Sequence, residues 1–289
     1  MNVSWFRHSL ANLYLPLTCQ GQGGNGVIVT TDNDGSTFGE STFITFPIVG
    51  SGGVSYPHET LQLGNELLVP DLVSSESLQT VGVMNGYHFQ QGDTIWRLVP
   101  DQNGVFSIGG QIKQPTGSGP RHAVIYNNFL VTLHELSSTI TSQLIPPLGQ
   151  DSSNLISNLS IVPQDQIGLQ GAQFAAAEVL IPPPNQAFPC TLVYASNRNT
   201  GNTTDPKGDS IAVLTLSPDG TLEIINQFFP GLEQIRGMQF GGPDNRYLAA
   251  SGVVGDGGVI VLERVGKGDQ FVQVASNKEI PNLVTFVWV

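Results

Sequence analysis

The sequence predicts an all-β protein, a β-propeller of four-stranded antiparallel blades, and three observations predict it. Thirty-four Gly and nineteen Pro are spread through 289 residues, with no sustained helical periodicity. That composition favours many short strands joined by tight turns. Strand-like apolar runs separated by Gly, Asn and Asp fill most of the chain. Finally, two kinds of polar segment recur in step. Pro57-His58-Glu59, Pro120-Arg121-His122 and Ile235-Arg236-Gly237 open apolar runs. Leu68-Val69-Pro70-Asp71, Thr132-Leu133-His134-Glu135, Ala195-Ser196-Asn197-Arg198 and Ala249-Ala250-Ser251-Gly252 close them. Arg121 follows His58 by 63 residues (121 − 58), and Arg198 follows Glu135 by 63 (198 − 135). A fixed period of this kind names a repeat architecture, and four strands per repeat name a propeller.

The clearest strands are expected at residues 94–100, 105–112, 122–126, 129–136, 138–145, 192–196, 211–216, 221–229, 247–251, 259–265 and 271–275. Asn127-Asn128 and Pro218-Asp219-Gly220 have the composition of hairpin turns. Residues 174–180 carry the one hint of a 3.6-residue period, over too short a span to define a helix. Trp-Asp dipeptides are absent, which excludes the WD40 type of blade. About five blades can be counted in this way.

Several function classes are excluded by composition. The net charge is −12, from 11 basic and 23 acidic residues. Nucleic acids and anionic membranes require a basic face, so neither is expected as a partner. No apolar stretch is long enough to cross a bilayer as a helix. Cys19 and Cys190 make no disulfide framework and no metal motif. The first twenty residues lack the order of a secretory signal, so a cytoplasmic location is the default expectation. Nothing in the sequence indicates an oligomeric state.

The repeat also places the polar residues. If the strand opened by Pro120-Arg121-His122 is innermost, its hairpin partner closes at Glu135. In an antiparallel pair the start of one strand and the end of the other share an edge. Arg121 and Glu135 are therefore expected at one end of the sheets, with His58 and Arg198 placed there by the same argument. His122 and His134 alternate with these residues along their strands and are expected to pack.

Four segments resemble a known family. They are Tyr56-Pro57-His58, Gly117-Ser118-Gly119-Pro120-Arg121-His122, His134-Glu135-Leu136-Ser137-Ser138-Thr139 and Tyr194-Ala195-Ser196-Asn197-Arg198-Asn199-Thr200. Together they are similar to the lactonase family of seven-bladed propellers, whose members include 6-phosphogluconolactonase and the fungal 3-carboxy-cis,cis-muconate lactonizing enzyme. The fungal branch is the more similar. The resemblance runs from residue 24 to the end, leaving 1–23 as a non-matching segment and 24–289 as the propeller domain. Residues 73–92 interrupt a blade and read as an insertion. Because the family has seven blades, the resemblance implies an incomplete ring.

It further implies an enzyme that acts, without metal or cofactor, on a small anionic lactone or carboxylate. The reaction is either lactone hydrolysis or cycloisomerisation of a carboxymuconate. Hydrolysis needs an activated water, stabilisation of the carbonyl oxygen and a proton for the leaving alkoxide. Glu135 is the expected base and His58 the proton donor or relay. Arg121 and Arg198 are the expected anion clamps, since guanidinium groups bind carboxylate and phosphate bidentately. Asp71 and Arg236 occupy equivalent strand ends and are further candidates for substrate contact. A non-catalytic propeller that binds a small anion or a protein partner with the same residues is the alternative, as is an inactive truncated form.

Overall fold

The computed structural model describes residues 13–19, 24–31, 38–47, 55–72, 93–255, 257–280 and 283–288. The expected insertion at 73–92 lies outside them. The described chain is almost entirely β-strand, arranged in five antiparallel sheets, of which four are four-stranded. It divides into two compact units, 1–125 with 145–153, and 126–144 with 154–289.

The first unit contains a three-stranded sheet of β1 (Leu13–Cys19), β2 (Asn25–Thr31) and β3 (Phe38–Thr45). Strand β1 falls in the segment expected not to match. A four-stranded sheet follows: β4 (Leu61–Leu63), β5 (Glu66–Asp71), β6 (Thr94–Pro100) and β7 (Phe106–Lys113). Its first strand is short, three residues long, and residues 58–60 before it lie outside the strand. A bridge between Pro57 and Asp71, with His58 N–H donating to the Pro70 carbonyl at 3.0 Å, carries the chain alongside β5 instead. Ile28, Ile44, Phe46, Leu67, Val69, Trp96, Leu98 and Phe106 form the apolar core. Strand β8 (Pro120–Tyr126) begins in this unit.

The second unit contains β9 (Phe129–His134), β10 (Thr139–Leu144) and β11 (Leu155–Ser160), paired in the order β11-β10-β9. The next sheet is β12 (Phe174–Leu180), β13 (Leu192–Asn199), β14 (Ile211–Leu216) and β15 (Leu222–Phe228). The last is β16 (Glu233–Gly241), β17 (Tyr247–Val254), β18 (Gly258–Val265) and β19 (Gln270–Asn277). The helical hint at 174–180 gives way to strand β12, whose seven residues are too few for a stable helix but pair with β13 on both sides of a register shift between Ala176 and Val179.

Tyr194 shows how these two sheets are joined. Its ring is fully buried and meets Phe240 edge-on at 4.8 Å, while its hydroxyl donates to the Gly268 carbonyl at 2.6 Å. Aromatic burial of this kind contributes about 2–3 kcal/mol. The expected turns are present. Asn127 has φ 54°, as a hairpin turn demands, and Gly220 has φ 88°. A Cβ at Gly220 would lie 2.6 Å from the Phe129 ring, so glycine is required twice over.

Candidate functional site

The ionisable residues that the sequence singled out fall into two groups, one in each unit. In the second unit β9 ends at His134, and Glu135 opens the turn into β10. That turn closes through Ser138 at φ 50°. The Glu135 carbonyl accepts Ala176 N–H at 3.3 Å, tying the turn to β12. Arg198 lies near the end of β13, opposite Ala175. Its Nε donates to the Ala175 carbonyl and its Nη2 to the Ala176 carbonyl, both at 3.2 Å. The same Nη2 is 2.8 Å from Glu135 Oε1. The Arg198 side chain is 7% exposed and that of Glu135 is 18% exposed. The carboxylate is thus held in a set orientation yet still reaches solvent. Residues from two sheets, 63 positions apart (198 − 135), are brought into direct contact.

Behind this pair lies Asp209, buried at the edge of β14. Its carboxylate accepts Asn199 N–H at 2.9 Å and Gln234 N–H at 2.6 Å, which links β13 to β16. Burial raises its pKa, the two N–H donors and the Arg198 charge opposing that rise. Arg236 lies two residues after Gln234, at a β-bulge where the register with β17 shifts between Ile235 and Gly237. A bulge re-aims its side chain relative to regular alternation.

In the first unit His58, Glu59, Arg121 and His122 are all buried. The His58 and His122 rings meet edge to face, 4.6 Å between centroids and 79° between planes. His122 Nδ1 is 3.3 Å from Glu59 Oε1, and the second oxygen of Glu59 accepts Ala123 N–H at 2.7 Å. Packing of His122 is as the strand alternation requires, but the ring it packs against is that of His58. Glu59 was not singled out in the sequence; its place beside His58 was the available signal.

Asp71 has a different role from the one its strand-end position suggested. It is 1% exposed and accepts Ser55 Oγ at 2.6 Å, Tyr56 N–H at 2.6 Å and Trp96 Nε1–H at 2.8 Å. Burial raises its pKa, and these three bonds partly offset the rise. With both oxygens engaged, Asp71 is a clasp between the Tyr56 segment and β6. His134 is also internal, fully buried with Nε2 2.9 Å from Thr141 Oγ1, and burial lowers its pKa to about 3. Among the described residues no three His, Cys, Asp or Glu side chains group as metal ligands would. Nor is any described helix long and apolar enough to cross a membrane.

Repeated four-stranded antiparallel sheets, carrying polar residues at equivalent strand ends, define a β-propeller. Residues 94–288 match the family model described as lactonase, 7-bladed beta-propeller. The chain belongs to that lactonase family. It is 28% identical over 206 residues to a probable 6-phosphogluconolactonase of Arthroderma benhamiae, an alignment covering 68% of this chain and 44% of that protein. The chain therefore spans less than half the length of this curated relative. Two solved structures share the fold. A protein from Lactobacillus plantarum superposes with a TM-score of 0.70 at 18% identity, over 94% of this chain and 70% of that one. The periplasmic gluconolactonase of Pseudomonas aeruginosa gives 0.69 at 16% identity, over 92% and 67%.

Proposed function

We propose that the protein is a lactone hydrolase acting on a small anionic sugar lactone of the 6-phosphogluconolactone class, without a metal ion. The observation that carries this reading is the 2.8 Å contact between Glu135 and Arg198. Glu135 accepts a proton from water as the water oxygen bonds to the lactone carbonyl carbon. The ring C–O bond then breaks, and the leaving alkoxide takes up a proton to give the open hydroxy acid. Arg198 holds the carboxylate in position and presents a cation to the anionic substrate. His58 as proton donor and Arg121 as a further anion contact are retained on motif resemblance. Family membership and the A. benhamiae relative support the substrate class. Arg236 stays a candidate for substrate contact, and Asp71 drops out because its oxygens are engaged.

One observation favours a second reading. Arg198 also donates to the Ala175 and Ala176 carbonyls, as a latch between sheets would. A non-catalytic propeller could use the same pair for stability alone. The test is turnover of 6-phosphogluconolactone, of unphosphorylated gluconolactone and of carboxymuconate, by wild type and by Glu135→Gln. Loss of hydrolysis in the variant supports the proposal. Wild-type rates in the variant, or no turnover of any lactone by the wild type, would overturn it. Turnover of carboxymuconate alone would reassign the chemistry to cycloisomerisation.

A further inference from the structure

Two buried residues of the first unit, Glu59 and His122, are assigned no role by the proposed reaction. Their geometry gives them one. Ala123 N–H can only donate, so its 2.7 Å bond commits Glu59 Oε2 as an acceptor. This bond sets the plane of the carboxylate and directs Oε1 toward His122 Nδ1, 3.3 Å away. A carboxylate oxygen accepts, which makes Nδ1 the donor candidate in this contact. His122 is thereby held in one orientation with a defined ring edge. That ring meets the His58 ring edge to face at 4.6 Å, a geometry that contributes about 0.5–1.5 kcal/mol beyond simple burial. His58, Glu59 and His122 are 8%, 6% and 8% exposed, so there is little room for any of the three to turn independently.

We infer that Glu59 and His122 are positioning residues for His58. Glu59 holds the proton on His122 Nδ1 and fixes that ring, and the His122 ring sets the orientation of the His58 imidazole. The functional part of this inference rests on the proposed role of His58. The proton placement does not.

The substitution Glu59→Gln separates these statements. An amide of the same shape has one acceptor end and one donor end. Ala123 N–H demands the oxygen, which turns the NH₂ group toward His122. Nδ1 must then accept, and its proton is lost. The full chain labelled with ¹⁵N in histidine, observed by long-range ¹H–¹⁵N correlation, reads this directly. The expected result is a protonated His122 Nδ1 in the wild type and an unprotonated one in Glu59→Gln. With 6-phosphogluconolactone as substrate, kcat falls roughly tenfold to a hundredfold while KM changes little, as misplacing a catalytic group does. His122→Asn provides a second test. Its Nδ2–H can still donate to Glu59, but the ring is gone, and a similar fall in kcat is expected.

An unprotonated Nδ1 in the wild type, or an unchanged one in Glu59→Gln, overturns the proton placement. Full kcat in both Glu59→Gln and His122→Asn, with His58→Gln inactive, overturns the positioning role. If His58→Gln is itself fully active, the proposed role of His58 fails, while the nitrogen shifts of His122 still decide the placement of its proton.

Discussion

Acid should destabilise this protein through one histidine. His134 is fully buried on β9, and its Nε2 lies 2.9 Å from Thr141 Oγ1. Burial disfavours the imidazolium and lowers the pKa from 6.5 to about 3. Because the folded-state value is the lower one, the associated stability is present in full above pH 6.5. It is lost as the pH falls toward 3, since the unfolded chain takes up a proton that the folded chain refuses. Each pH unit in that window is worth about 1.4 kcal/mol, so about 3 kcal/mol is lost at pH 4.5 and about 5 at pH 3. That is a large part of a typical stability of about 5–15 kcal/mol. Asp71, Asp93 and Asp209 act in the opposite sense. Burial raises their pKa values, so their contributions are present below 3.8 and lost as the pH rises through the raised values. A comparison of wild type with His134→Gln cancels these shared groups. Urea unfolding at pH 7 should show the variant to be less stable, because it loses ring packing. At pH 4.5 the gap should narrow by about 3 kcal/mol, since glutamine does not titrate. Equal acid losses in both proteins would refute the argument.

Three further outcomes are expected. Asp209→Asn has one acceptor where the carboxylate offers two to Asn199 and Gln234 N–H. It should lower unfolding free energy by about 1–3 kcal/mol, measured by urea titration. Arg97 binds Glu66 through Nε at 2.7 Å and Nη2 at 3.0 Å, and donates Nη1 to the Pro146 carbonyl at 2.6 Å. Arg97→Leu strands both acceptors and should cost about 3 kcal/mol in the same assay. Arg198→Lys keeps the charge but cannot reproduce the planar fork. Its KM for 6-phosphogluconolactone should rise roughly tenfold, and an unchanged KM would remove Arg198 from substrate binding.

The propeller fold was legible because its signal is repeated. No single strand is decisive, but Pro-His, Pro-Arg-His, His-Glu and Asn-Arg recur in step with the apolar runs, and that rhythm places Glu135 and Arg198 at equivalent strand ends. That placement stops short of the side chains, whose contact at 2.8 Å is seen only in the structure. What failed to show were relations outside the repeat. Strand β12 looked weakly helical because its centre, Ala175-Ala176-Ala177, is made of the strongest helix former, and pairing with β13 overrides that preference. Asp71 sits at the same kind of strand end as Glu135. Its partners Ser55 and Trp96, 16 and 25 residues away, convert it into a clasp. The link from Glu59 to His122 was hidden for a related reason. Residues 58–60 precede the short β4 and obey no strand alternation, so no periodic argument could aim Glu59 at Ala123.

The same contact that supports catalysis could be a latch, and Glu135→Gln distinguishes the two because it changes charge while nearly preserving shape. The amide oxygen can still accept from Arg198 Nη2, and the Ala175 and Ala176 carbonyls still hold the guanidinium from its other side. A latch needs that acceptor and geometry, and it keeps both apart from the charge. The variant's stability should therefore fall by no more than about 1–2 kcal/mol. A base needs the proton affinity of a carboxylate, which an amide lacks altogether. Lactone hydrolysis should then drop by roughly a hundredfold or more. Measured on one preparation, a large loss of rate with a small loss of stability identifies the base. A protein that melts early but hydrolyses at the wild-type rate identifies the latch, and places the chemistry elsewhere in the chain.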